Sequence, residues 1–164
     1  MKGASVLTVE QRNELIDQYA AGYDAVIAAL DGITPEELDV REGPGEWSPR
    51  QVVHHLGDSE MTSAIRIRRM IAEDHPLLQG YDQDRFAEVL FYDRPIEASL
   101  EAFRGARAST TPIFRALSEE QWTRTGNHSE TGRTSVEDSL VYYAVHAHDH
   151  ADQIRRARAA ARSA

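Results

Sequence analysis

Apolar residues recur every three or four positions along four long stretches of the chain, which is the spacing of one face of an α-helix. The first stretch follows TVEQ at residues 8–11, a sequence typical of a capping box, and ends before the stop signal Asp31-Gly32. We therefore predict a first long helix between these two signals. Its apolar positions are Leu15, Ile16, Tyr19, Ala20, Tyr23, Val26, Ile27 and Leu30.

The second and third patterns carry helix signals of the same kind. SPRQ at residues 48–51 starts the second helix, whose apolar pattern runs to about Asp74. The third pattern opens at Pro95 and contains Pro112. Because proline removes a backbone hydrogen bond, we expect the third helix to be kinked or split at Pro112.

The fourth pattern is capped by Thr134 or Ser135 and completes a set of four long helices. No stretch alternates as a β-strand would, and the polar, glycine-containing residues 123–134 are predicted to form a surface loop. The fold class expected is all-α: a four-helix bundle in one domain spanning 1–164, with short extra helices in the connections. These short segments are expected at residues 34–39, 85–93 and 118–121.

Composition narrows the possible functions. The formal net charge of −9 makes nucleic acid a poor partner, because an acidic surface repels phosphates. The absence of cysteine excludes thiolate ligands and disulfides, so any metal must be held by His, Asp or Glu. The N-terminal stretch carries no apolar run of the signal-peptide type, and no segment is long and apolar enough for a membrane span. We therefore expect a cytoplasmic protein.

Histidines are concentrated on two of the predicted helices. His146 and His150 are four residues apart on the last helix and share a face, whereas His148 points to the other edge of the apolar stripe. On the second helix His55 lies beside the apolar stripe, and His54 is rotated away and expected to face solvent. Such histidines are often surface residues or hydrogen-bonded core residues. Three that face inward from opposite helices could instead share one cation and leave it open coordination positions.

Two motifs resemble those of the DinB/YfiT-like family. The first is W-S-x5-H-H-L-x-D-x-E, from Trp47 to Glu60, and the second is H-x3-H-x2-Q-I, from His146 to Ile154. The resemblance implies a four-helix bundle, often dimeric, so a homodimer is expected. It also implies a divalent metal, commonly zinc or nickel, held by one His from the second helix and two from the last. Those positions in this chain are His55, His146 and His150.

The resemblance implies two uses for such a metal. Some relatives are similar to thiol S-transferases, which join bacillithiol, mycothiol or glutathione to electrophiles, and a related branch is the thiol-dependent maleylpyruvate isomerase. The resemblance thus implies a small-molecule substrate and a low-molecular-weight thiol cosubstrate, which would supply the thiol that this cysteine-free chain lacks. Hydrolysis by metal-activated water is the alternative, and a metal-binding or stress-response protein without turnover is a third possibility.

Several neighbouring residues are candidates for supporting roles. Asp58, one turn after His55, is a candidate base or hydrogen-bond acceptor, and the alternative is a solvated carboxylate. Tyr143, beside the paired histidines, could donate to a substrate or simply belong to the core. Gln153 could orient His150 or lie on the helix surface. We expect Trp47 to pack ahead of its helix and Glu60 to be a charged surface residue; His75 and His128, in loops, are given no role.

Overall fold

Four long helices make up most of the computed structural model, which describes residues 7–163. The first six residues, part of the stretch inspected for a signal peptide, and the last one lie outside the described part. The helices are α1 (Val9–Leu30), α2 (Pro49–Ala72), α3 (Gln83–Val89), α4 (Glu97–Ala116), α5 (Glu119–Trp122) and α6 (Val136–Ser163), and a 3-10 turn spans Glu37–Asp39. Helix α1 packs mainly against α6, and α2 packs mainly against α4.

The helix starts follow the signals in the sequence. The Thr8 hydroxyl accepts a hydrogen bond from the Gln11 backbone N–H at 3.2 Å, and the Gln11 side chain accepts one from the Thr8 N–H, which completes the predicted capping box. Ser48 caps α2 in the same way. Ser135, one of the two residues predicted to cap α6, exchanges the equivalent bonds with Asp138. Each cap satisfies backbone N–H groups that a helix end leaves unpaired.

Pro112 does not split α4, which runs without interruption from Glu97 to Ala116. Of the two expected effects, a kink or a split, the split is therefore wrong. The helix buries Phe103 on one side of Pro112 and Phe114 on the other, and both side chains lie in the core. Tertiary packing supplies most of the stability of a helix in a protein, so it can offset one missing hydrogen bond.

Residues 123–134 do not form a simple loop, and the prediction of no β-strand is also wrong. A three-stranded sheet joins β1 (Leu77–Leu78), β2 (Thr125–His128) and β3 (Gly132–Ser135), in which β2 pairs parallel to β1 and antiparallel to β3. Gly126 faces Leu78, and a β-carbon at this glycine would lie 2.7 Å from the Leu78 side chain. Strand β1 has only two residues, and β2 and β3 are short and polar, so none of them produces an alternating pattern and tertiary contacts define them.

A buried ion pair links the helices inside the bundle. Glu60 on α2 and Arg107 on α4 are 0% and 2% exposed, and Arg107 Nη2 lies 2.6 Å from Glu60 Oε1. Arg107 also covers the ring of Tyr19 at 4.3 Å and donates to the carbonyls of Tyr19 and Tyr143. The prediction that Glu60 is a surface residue is therefore wrong. The local sequence could not show its burial, because its partner Arg107 lies on another helix.

No helix within residues 7–163 is both long enough and apolar enough to cross a lipid bilayer.

Candidate metal centre

Three histidine side chains from two helices meet inside the bundle. His55 projects from α2, and His146 and His150 project from α6 one turn apart. The Nε2 atoms of His55 and His146 are 3.4 Å apart, and one nitrogen from each of the three rings lies within 4.8 Å of the others. We call these residues the three-histidine cluster. The predicted convergence of distant parts of the chain is therefore present.

The spacing of these nitrogens suits a transition-metal ion. Zinc binds imidazole nitrogen at about 2.0–2.1 Å, so two ligands at the tetrahedral angle are roughly 3.3 Å apart. The separation of 3.4 Å between the Nε2 atoms of His55 and His146 matches this value. Within the described residues no Asp or Glu belongs to the cluster, so its donors are nitrogen atoms alone.

Burial keeps the imidazoles neutral. It lowers the pKa of His55 to about 3, and the nearby His150 adds to the shift. Burial, together with the neighbouring His150 and His55, lowers the pKa of His146 to about 2. The pKa of His150 is also lowered by burial, and its hydrogen bond to Gln153 opposes that shift. Neutral imidazole is the form that binds metals, so the cluster offers lone pairs at neutral pH without first releasing protons.

The protein leaves two ring nitrogens of the cluster without partners. The Nδ1 atoms of His55 and His146 are buried, and no described side chain or backbone group forms a hydrogen bond with them. His150 differs, because its Nδ1–H donates to Gln153 Oε1 at 2.8 Å and thereby leaves Nε2 free to accept. An ordinary buried histidine is fixed by hydrogen bonds to the protein. In the cluster the Nε2 atoms of His55 and His146 instead lie against each other at 3.4 Å, a contact that a metal ion bound to both nitrogens would replace.

Trp47 covers the cluster on one side. Its ring centroid lies 4.6 Å from that of His55, and the ring stacks on His150 at 6.4 Å. Sequence reasoning predicted packing for this residue but not its contact with the histidines. The available signal was its position directly before the cap of the helix that carries His55.

A cavity of about 620 Å³ opens beside the cluster and includes His55 and His146 in its wall. The predicted residue Tyr143 also lines it, with its ring 5.5 Å from that of His146. Burial raises the pKa of Tyr143 to about 12, so its hydroxyl stays protonated and can donate a hydrogen bond. Other lining residues come from α2, the connection after β1, the hairpin and α6, and sequence reasoning missed Arg66, Tyr81, His128 and Tyr142 among them.

Asp58, unlike Tyr143, lies outside the wall of the cavity. Its Oδ2 accepts a hydrogen bond of 2.6 Å from the Tyr92 hydroxyl. The carboxylate therefore ties α2 to the segment that precedes α4.

The two remaining helical histidines hold the bundle together. His54 is completely buried: its Nε2–H donates to the Arg94 carbonyl at 3.0 Å, and its Nδ1 lies 2.8 Å from the Ser99 hydroxyl. The prediction that His54 faces solvent is wrong, because α4 and the residues before it cover that side of α2. His148 donates from Nε2 to the Gln18 carbonyl on α1 at 2.9 Å.

Comparison with known proteins agrees with this picture. A relative from Oceanobacillus iheyensis named "Putative metal-dependent hydrolase" is 36% identical over 115 residues, which are 70% of this chain and 67% of the relative. A Bacillus cereus protein of the same name is 31% identical over 130 residues, 79% of this chain and 75% of that protein. These similarities and the three-histidine cluster together support a metal-dependent function.

The fold has a close counterpart among solved structures. YfiT from Bacillus subtilis, described as "a probable metal-dependent hydrolase with an unusual four-helix bundle topology", superposes with a TM-score of 0.87 at 27% identity and covers 99% of this chain and 93% of its own. This similarity confirms the predicted four-helix bundle. Residues 18–154 match the family described as the DinB superfamily. The predicted resemblance is thus confirmed, and the chain belongs to the DinB superfamily.

Proposed function

We propose that His55, His146 and His150 hold one divalent metal ion, zinc or nickel, and that the protein is an enzyme that transfers a low-molecular-weight thiol to an electrophilic small molecule. The observation that carries this proposal is the convergence of three neutral ring nitrogens within 4.8 Å, beside a cavity of about 620 Å³. A cavity of this size is typical of sites that enclose small molecules.

The donor set determines the chemistry available. An ion on three neutral imidazoles keeps its full positive charge, and when bound it would lower the pKa of a thiol or a water molecule that joins it. In the proposed reaction a sulfur–carbon bond forms and the bond from that carbon to its leaving group breaks. The leaving group departs with the electron pair, and the thiol proton passes to solvent.

The surrounding residues have distinct parts in this proposal. Gln153 holds the His150 ring with Nε2 turned toward the cluster. Trp47 shields the rings of His55 and His150 from water. Tyr143 donates a hydrogen bond from its protonated hydroxyl to a molecule in the cavity. Asp58 acts indirectly, since its carboxylate is engaged by Tyr92.

Thiol transfer suits a cluster that contains no carboxylate to act as a general base. Within the described residues no carboxylate joins the three-histidine cluster, and the nearby Glu60 is held by Arg107. A thiol needs little assistance to lose its proton, because its ordinary pKa of about 8.5 is far below that of water. Hydrolysis is the second candidate, and the observation that favours it is the name that the O. iheyensis and B. cereus relatives share.

Elemental analysis of the purified protein tests the metal part of the proposal. We expect about one divalent ion per chain in the wild type and in His148→Gln, the matched control between the two α6 ligands. His55→Ala should lose the ion while its circular dichroism spectrum stays helical. Wild-type protein that carries no metal, and takes up none from zinc or nickel salts, would refute the proposal.

Turnover separates the two candidate reactions. The metal-loaded protein would be incubated with monochlorobimane and a panel of thiols, and in parallel with ester and amide substrates without a thiol. Thiol transfer predicts a bimane-conjugation rate that disappears in His55→Ala. Metal-dependent cleavage of esters or amides, with no conjugation above the uncatalysed rate, would favour hydrolysis instead.

A further inference from the structure

Arg66 places a positive charge in the wall of the cavity. Among the residues that the structure describes it is the one arginine that lines this cavity, and no carboxylate lies within ion-pairing distance of it. One Nη donates to the Gln79 carbonyl, and Nε is buried without a hydrogen-bond partner. Arg69, less than one turn away, differs because it pairs with Glu73 at 2.8 Å.

Arg66 and His55 lie on the same face of α2. They are eleven positions apart in the sequence, which is about three turns of helix. Their side chains therefore project in nearly the same direction, and their backbones are roughly 16 Å apart. Ser59 and Ser63 line the cavity between them. One wall of the cavity therefore runs from the three-histidine cluster at one end to a guanidinium at the other.

Three carboxylates also line the cavity, and none of them forms an ion pair with Arg66 in the described part of the chain. Asp82 accepts from the Arg85 N–H at the start of α3, and Asp138 accepts from the Ser135 N–H and hydroxyl at the start of α6. Glu130 in the hairpin is exposed to solvent and forms no ion pair with Arg66. Nη1 of Arg66 forms no hydrogen bond with the described residues, so it can donate to a molecule that enters the cavity.

We propose that Arg66 binds a carboxylate of the substrate whose reacting group lies at the three-histidine cluster. The inference rests on the proposed function for the location of the reacting group, and it adds a substrate class: elongated molecules with an anionic end. A guanidinium presents paired N–H donors that match the two oxygens of a carboxylate. The Arg66 guanidinium lies over the ring of Tyr81, 5.9 Å from its centroid, and this cation–π contact helps to position the Arg66 side chain.

Binding of a matched pair of ligands tests this assignment. Glutathione and its uncharged-carboxyl analogue, glutathione diethyl ester, would be titrated into zinc-loaded protein by isothermal calorimetry. We expect the wild type to bind the acid at least about tenfold more tightly than the ester, because hydrogen bonds to charged groups are worth that much. In Arg66→Gln the ratio should fall to about one. Arg85→Gln removes one positive charge as well, but at an exposed position outside the cavity, and it should keep the wild-type ratio.

Zinc content and a third ligand separate this inference from the proposed function. Arg66→Gln should bind as much zinc as the wild type. If S-methylglutathione binds as tightly as glutathione, the thiol contact fails, while the acid-to-ester ratio still supports Arg66. Equal affinities of acid and ester in the wild type, no binding of either, or an unchanged ratio in Arg66→Gln would overturn the assignment.

Discussion

At the scale of single residues, the site depends on which ring nitrogens face one another. The i, i+4 spacing of His146 and His150 predicted a shared helix face, and the DinB-like motif indicated His55 as the third member. The sequence could not show that Trp47 stacks on the rings, nor that His54 is bound to Ser99, because these contacts join elements distant along the chain.

Gln153 should affect metal affinity without being a ligand. Its Oε1 fixes the His150 ring, and loss of such an outer hydrogen bond typically weakens metal binding about 10- to 100-fold. We expect Gln153→Ala to show this loss in a competition titration with a chromophoric zinc chelator. Asp152→Asn, an exposed neighbour on α6, is the control and should leave the affinity unchanged. Wild-type affinity in Gln153→Ala would show that the hydrogen bond does not orient the ligand.

Trp47 should report metal binding by fluorescence. Its ring touches two residues of the cluster, whereas Trp122, the other tryptophan, stacks on Phe114 in the core. Addition of zinc or nickel to metal-free protein should change the tryptophan emission, and Trp47→Phe should abolish the change while Trp122 continues to emit. A full response in Trp47→Phe would mean that the ion binds elsewhere.

At the scale of elements, the sequence was informative where a signal is local. The capping residues Thr8, Ser48 and Ser135 marked the helix starts correctly. The strands were missed because pairing of β1 with β2, 50 residues apart in register, stabilises segments that lack a pattern of their own. The split predicted at Pro112 was wrong for a related reason, because packing of the core on both sides of the proline holds α4 together.

The ion pair between α2 and α4 should be costly to break. Arg107→Met leaves Glu60 buried without its partner, and such a change typically costs about 3–5 kcal/mol of unfolding free energy. Urea denaturation would measure the loss. The exposed Arg104→Met, one turn earlier, should change stability by less than about 0.5 kcal/mol.

A double substitution separates the cost of an orphaned charge from lost packing. Because Glu60→Leu with Arg107→Met removes both charges, we expect it to be less destabilising than the sum of the two single changes. Additive losses would indicate that the two side chains contribute independently.

At the scale of the whole molecule, the neutral buried histidines couple stability to pH. Folding lowers the pKa of His55 and His146 to about 3 and about 2, whereas an unfolded histidine titrates near 6.5. Between these values the unfolded chain binds more protons, so the metal-free protein is less stable as pH falls below about 6.5. Over this range each of the two imidazoles lowers the free energy of unfolding by about 1.4 kcal/mol for every unit by which the pH falls.

The contribution of one histidine can be isolated by difference. Urea denaturation of metal-free wild type and His146→Ala at pH 7.5 and pH 5 should give a smaller pH dependence in the variant. The decrease should be about 1.4 kcal/mol per pH unit below pH 6.5. Parallel pH profiles for the two proteins would show that His146 is not held neutral by the fold.

The central claim is that His55, His146 and His150 share one ion, and anomalous diffraction tests it most directly. Crystals of the zinc-loaded protein would be measured on both sides of the zinc absorption edge. The account predicts one strong anomalous peak about 2.0–2.1 Å from a ring nitrogen of each of the three histidines. A peak bound by other residues, or no peak at the cluster in zinc-saturated crystals, would contradict it.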